Sequence, residues 1–172
     1  MKSRIYQVTV AADAPVMKLK DAAQNAGLLP FDGSEKSDLS PKKSFEVVHE
    51  SRVVDPKSFW FLAPGVLVYP EAMIGEDVYE SPYYSWAYDV ELLSMVSETD
   101  HFWAMNTTQV FPHPNTGYVF NLKYNYPLFR LEGEAKTDLF CLEGQESTGD
   151  ELLVNYRQYG LSGLTFEEFW VG

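Results

Sequence analysis

Thr148-Gly-Asp-Glu-Leu-Leu-Val-Asn-Tyr-Arg-Gln-Tyr-Gly-Leu-Ser-Gly-Leu-Thr-Phe166 is the clearest local signal in the chain. Thr148 and Glu151 stand at capping-box spacing, so the threonine would accept the N3 amide while the glutamate reaches back. Leu152, Tyr156 and Tyr159 then fall on one helical stripe, with Leu153 beside it. Gly160 predicts the helix stop, and Leu161-Ser-Gly163 predicts a turn into a final strand, Leu164 to Phe166.

Working outward, Arg4 to Val10 is β-rich and reads as an opening strand. Asp13-Ala-Pro reads as a helix start, followed by Val16, Leu19, Ala22, Ala23 and Ala26 at helical spacing before Gly27. Residues 31–44 are polar, with Gly33 and Pro41, and predict an exposed loop. Phe45 to Val54 reads as extended. Phe59 to Leu62 and Val66 to Tyr69 flank Ala63-Pro-Gly65, which suits short buried strands joined by a turn. Residues 71–100 leave the period open: Tyr84 to Val96 fits a helix with Trp86, Val90, Leu93 and Met95–Val96 inward, while Pro82 and several nearby β-formers oppose it. His101 to Phe111, Tyr118 to Tyr124, Leu128 to Leu131 and Thr137 to Leu142 read as strands, with Pro112 to Gly117 as turn chemistry. The expected fold is a single α+β domain spanning residues 1–172. Its mixed or mostly antiparallel sheet is flanked by two or three helices.

Composition narrows the function classes. The chain has 172 residues, is 45% hydrophobic and 15% aromatic, and is therefore globular rather than disordered. A net charge of -12 opposes nucleic-acid binding, which needs clustered Lys and Arg against phosphate. Cys141 is the only cysteine, so an intramolecular disulfide is excluded; its apolar neighbours predict a small buried residue. The N-terminus has no apolar signal segment, and the run Phe59 to Tyr69 is too short to cross a bilayer. A cytoplasmic protein without membrane association is expected.

Catalytic signatures are sparse. His49, His101 and His113 have no neighbours at metal-ligand spacing, so neither a metal nor another cofactor is expected. There is no G-x-S-x-G elbow and no glycine-rich phosphate loop. The carboxylate pairs Glu76/Asp77, Glu132/Glu134 and Glu167/Glu168 leave one alternative, a small carbohydrate-binding or carboxylate-dependent glycan-processing domain.

The strongest compositional feature lies between Lys57 and Lys123. These 65 residues contain no Lys or Arg, yet hold eight carboxylates and fourteen aromatic side chains. Soluble surfaces normally intersperse both signs of charge. The run therefore predicts a negative field with rings available as contact surface. The expected partner-binding residues are Glu76, Asp77, Tyr79, Glu80, Tyr83, Tyr84, Trp86 and Asp89, and the expected partner is a basic protein.

Tyr126-Pro-Leu-Phe-Arg-Leu131, Thr137-Asp-Leu-Phe-Cys-Leu142 and Tyr159-Gly-Leu-Ser-Gly-Leu-Thr-Phe166 follow one another in the final third. This order resembles the bacterial immunity proteins of polymorphic toxin systems, the DUF1629, Imm11-like group. His101-Phe-Trp-Ala-Met-Asn106 is loosely similar to that family's central aromatic strand; the aspartate expected after it is replaced by Pro112-His-Pro. The match covers some 70 residues of short motifs. The resemblance implies a non-catalytic protein-binding module that neutralises a cognate toxin.

Overall fold

Arg4–Val10 forms β1, the centre of a three-stranded antiparallel sheet. The computed structural model describes residues 3–21, 25, 27–36, 39, 44–74, 90–120, 127–144 and 151–172. On one side β1 pairs with β9, Leu139–Glu143, and on the other with β10, Leu164–Val171. Tyr6 faces Cys141 and Val8 faces Leu139, so these side chains share one face of the sheet. Ile5 and Leu142 share the other.

The second sheet has five strands. In spatial order they are β2 (Lys18–Leu19), β3 (Phe45–Val48), β5 (Glu91–Val96), β6 (His101–Asn106) and β4 (Leu67–Pro70). β3 and β5 run parallel; the other pairings are antiparallel. Two further short strands, β7 (Val110–Phe111) and β8 (Arg130–Leu131), pair in parallel. The one α-helix among the described residues, α1, spans only Leu152–Gln158.

The core explains this stacking. Phe45, Val47, Val68, Leu93, Met95, Phe102 and Ala104 pack with Met17, Phe31 and Trp60 against one face of the five-stranded sheet. Leu67, Tyr69 and Met105 point from that sheet into a second cluster. There they meet Val8, Leu139 and Cys141 of the first sheet and Leu152 and Leu153 of α1. A third cluster, with Ile5, Phe129 and Phe140, covers the far face of the first sheet. Each sheet thus has apolar clusters packed on both faces, with outer positions of β3 and β10 left exposed, and α1 joins the layer between the sheets. Each large apolar side chain so buried contributes roughly 1.5–3 kcal/mol.

The α+β expectation is corrected. Among the described residues strand accounts for 39%, and the curled five-stranded sheet is accompanied by a single helix of seven residues, not flanked by two or three helices. The expected helix after Asp13 is instead strand-like. Met17 donates its amide to the Phe61 carbonyl, and Lys18 and Leu19 pair with Val48 and Val47. Met17 is fully buried while Val16 and Lys18 are exposed, the alternation of a half-buried strand. Ala22, Ala23 and Ala26 lie outside the described residues. The helical reading of Tyr84–Val96 is also corrected, because its final six residues form β5 with Leu93 and Met95 inward. Short apolar runs satisfy both periods, and pairing with β6 decides.

At the C-terminus, Glu151 precedes α1 and makes no capping bond; its carboxylate accepts from the Gly144 amide at 3.3 Å. Thr148, its expected partner, lies outside the described residues. Gly163 adopts φ +92°, and a Cβ there would stand 2.6 Å from the Phe59 carbonyl oxygen. This close approach lets Phe59 donate its amide to Ser162 while the Ser162 amide binds Lys57. Within the expected 31–44 loop, Phe31 and Lys36 are buried. Among the described residues no helix is long and apolar enough to cross a membrane.

Candidate functional site

Among the described residues, one end of the five-stranded sheet gathers two histidines, three carboxylates and several hydroxyl side chains. The β5–β6 hairpin turns through residues 97–100, and Val96 pairs with His101. Because side chains alternate along a strand, Ser94, Val96, His101 and Trp103 share one face. Ser94 and His101 are diagonal neighbours on it. The Ser94 hydroxyl lies 2.7 Å from His101 Nε2, and the exposed Ser44 hydroxyl, just before β3, lies 2.6 Å from Ser94. Glu71 follows β4, whose last residue Pro70 pairs with Phe102, and its carboxylate lies 3.0 Å from His101 Nδ1. The His101 ring packs on Trp103 with centroids 4.7 Å apart.

The opposite face of the same end holds His49. Its ring packs edgewise against Trp60 and Phe102 at 4.9 and 5.7 Å. Both ring nitrogens are buried without an aligned hydrogen bond, although Nε2 lies 3.4 Å from Asp100 Oδ2. Asp100 also accepts from the Thr99 hydroxyl at 2.6 Å. A cleft of about 360 Å³ opens beside this pair, lined by Lys20, Glu46, Ser51, Glu98 and Thr99 among others. Two imidazoles therefore flank the sheet, each beside a carboxylate from the cation-free run.

The other end of β5 is structural. Glu91 accepts the Lys36 amide at 2.8 and 3.0 Å and the Asn106 side-chain amide at 3.0 Å. Asn106 in turn lies 3.4 Å from Arg130. Arg130 is buried and donates to the carbonyls of Thr107, Lys136 and Gly65. Burial pushes its pKa down, and Asp32 opposes that shift. Because all of its close acceptors are neutral oxygens, the guanidinium serves as a hydrogen-bonded brace.

Every expected partner-binding residue, Glu76, Asp77, Tyr79, Glu80, Tyr83, Tyr84, Trp86 and Asp89, lies outside the described residues. Of the run's other four carboxylates, Glu71, Glu98 and Asp100 gather at the hairpin end, whereas Glu91 is the structural ligand just described. Of the carboxylates considered for glycan chemistry, Glu134 lies 3.2 Å from His113 and Glu168 lies 3.6 Å from Arg4, while Glu76 and Asp77 lie outside the described residues. Cys141 is fully buried, and burial pushes its thiol pKa far up. Among the described residues no cluster of three His, Cys, Asp or Glu side chains could hold a metal.

Sequence reasoning missed the Ser94–His101 pair. The usable signal was a strand–turn–strand reading of residues 91–106, which places the two seven positions apart across a hairpin. No family model, no curated protein and no solved structure matches this chain.

Proposed function

We propose that the chain is a protein-binding module of the immunity type, which docks a basic cognate toxin in the cytoplasm. The observation that carries this reading is the 65-residue run without a cation. Glu71, Glu98 and Asp100 from that run sit together at the hairpin end of the sheet, with Glu71 and Glu98 exposed. Acids concentrated at one end create a local negative potential that speeds encounter with a cationic surface and disfavours like-charged partners. Tyr79, Tyr83, Tyr84 and Trp86, interspersed in the sequence with Glu76, Asp77, Glu80 and Asp89, are the proposed contacts. Aromatic side chains are frequent dominant anchors at protein interfaces. The resemblance of the final third to the immunity group agrees with this role.

The test uses the product of the neighbouring reading frame, which the proposal requires to be a secreted modular protein ending in a basic toxic domain. Reversing Glu76, Asp77 and Glu80 to Lys should slow association at low salt at least tenfold, and added salt should shrink the difference. Equal association rates for the reversed and natural proteins would reject this surface. Failure of the natural protein to bind the neighbouring product would reject the immunity role.

A further inference from the structure

Four side chains at the hairpin end form a continuous line: Glu71 to His101 at 3.0 Å, His101 to Ser94 at 2.7 Å, and Ser94 to Ser44 at 2.6 Å. The carboxylate end sets its polarity. With the Glu71 carboxylate as acceptor at Nδ1, the tautomer that suits the line carries its proton on Nδ1 and leaves Nε2 as an acceptor. Ser94 must then direct its single proton to His101. Ser44 in turn must donate to Ser94. The outermost oxygen is therefore that of Ser44, an exposed residue whose proton already points down the line.

We propose that Ser44, Ser94, His101 and Glu71 form a nucleophile relay for acyl transfer to a serine oxygen, with uncharged or cationic esters as the substrate class. Nucleophile, base and orienting acid in hydrogen-bond succession are what serine activation requires. Ser44 Oγ attacks the ester carbonyl carbon. Its proton passes to Ser94 as the Ser94 proton passes to His101 Nε2, and Glu71 stabilises the resulting imidazolium. Collapse of the tetrahedral adduct breaks the bond to the leaving alkoxide. That alkoxide takes the proton back through the same groups and departs as the alcohol, leaving an acyl ester on Ser44. Water attacks this ester, the relay carries its proton to the serine oxygen, and the carboxylic acid leaves. The sum is ester plus water to acid plus alcohol.

Charge and shape select the substrate class. Glu71, Glu98 and Asp100 surround this end of the sheet and repel anionic acyl groups. Trp103, against His101, offers apolar surface for an acyl chain. Ser44 is the catalytic residue, Ser94 and His101 move its proton, and Glu71 is a positioning residue.

The experiment treats the folded full chain with a fluorophosphonate, which phosphonylates an activated serine with loss of fluoride, and maps the label by mass spectrometry. Modification at Ser44 is expected in the folded protein and not in urea. His101→Ala should lower the labelling rate about a hundredfold, the scale of a general base. Glu71→Gln should lower it by a smaller factor, and Glu71→Asp should regain part of the loss, which a purely structural role would not produce. With p-nitrophenyl acetate, the natural chain should release a burst of about one nitrophenolate per protein, as an acyl-enzyme requires, and Ser44→Ala should not. Ser44 is exposed, so that variant keeps the test valid where His101→Ala fails to fold. No label on either serine in the folded protein overturns the activity, and label on Ser94 alone overturns the relay order. Ser44→Ala and His101→Ala remove no carboxylate, so their loss of labelling with toxin association retained, or the reverse, separates failure of the relay from failure of the binding reading.

Discussion

Arg130 donates through Nη2 to the carbonyl of Gly65 at 2.9 Å, joining residues that are 65 positions apart in the chain. The same guanidinium reaches the carbonyls of Thr107 and Lys136 at 3.0 and 2.8 Å. Gly65 is held tightly as well, since a Cβ there would collide with the Phe31 carbonyl. One buried cation therefore fixes the turn before β4, the exit from β6 and the approach to β9. The arginine stands in the run Pro127-Leu-Phe-Arg-Leu131, whose Leu128, Phe129 and Leu131 are buried beside it.

Replacing Arg130 with Met should destabilise the protein by about 3–5 kcal/mol, because three backbone carbonyls lose their buried donors. Arg130→Lys should recover only part, since an ammonium cannot reproduce the planar fork. Urea unfolding with an unchanged slope and a lowered midpoint is the expected result. An unshifted midpoint for Arg130→Met would refute the brace.

Gly163→Ala should cost more than Gly117→Ala. Both glycines have positive φ, +92° and +80°, so each substitution carries the left-handed penalty of about 1–2 kcal/mol. Only at Gly163 does the added methyl also meet backbone, the Phe59 carbonyl; nothing lies within 4 Å at Gly117. Equal thermal shifts would show that the Phe59–Ser162 crossing is loose.

Cys141 should resist a thiol reagent such as DTNB at pH 8 in the native protein and react at once in denaturant. Burial first, then the nearby Glu151 and Glu143, raise its pKa, so the thiolate is scarce and shielded. Native-state reaction at the rate of a free thiol would mean that the layer between the sheets opens readily.

Asp32 predicts an acid-side dependence. The Ser34 hydroxyl, and then the Ser34 amide, hold its carboxyl below the usual aspartate range. A depressed folded-state pKa contributes stability above the unfolded value, and that stability is lost as pH falls through the folded value. Ser34→Ala should therefore lower the unfolding midpoint slightly near neutrality, with the gap closing in acid. A gap that widens on acidification would contradict this sign.

Sequence legibility followed locality. Arg4–Val10 is the strand expected, and Cys141 is buried as its apolar neighbours predicted. The chain leaves the helix near Gly160 and enters a strand at Leu164, although the strand runs on to Val171. The readings that failed concern segments of ambiguous period. Val16 to Leu19 and Leu92 to Val96 suit a helix face and a strand equally, and their pairing partners stand far away in sequence. The relay was hidden for the same reason. His101 reads as a strand start from sequence, but Ser94 falls in a segment whose spacing also fits a helix, so the sequence alone does not bring the two together. Arg130 was read as one letter of a motif; an isolated charge gives no local sign that it will be enclosed.

The amino-acid sequence by itself determined the anionic balance, the cation-free run, the first strand and the glycine-marked junction after the last helix, because each depends on residue chemistry within a few positions. Tertiary structure alone decided that the protein is mostly β, that Arg130 is enclosed, and that Ser44, Ser94, His101 and Glu71 form one line. Those outcomes depend on which strands pair, and strand pairing is settled by burial and hydrogen-bond completion across distances that no local pattern encodes.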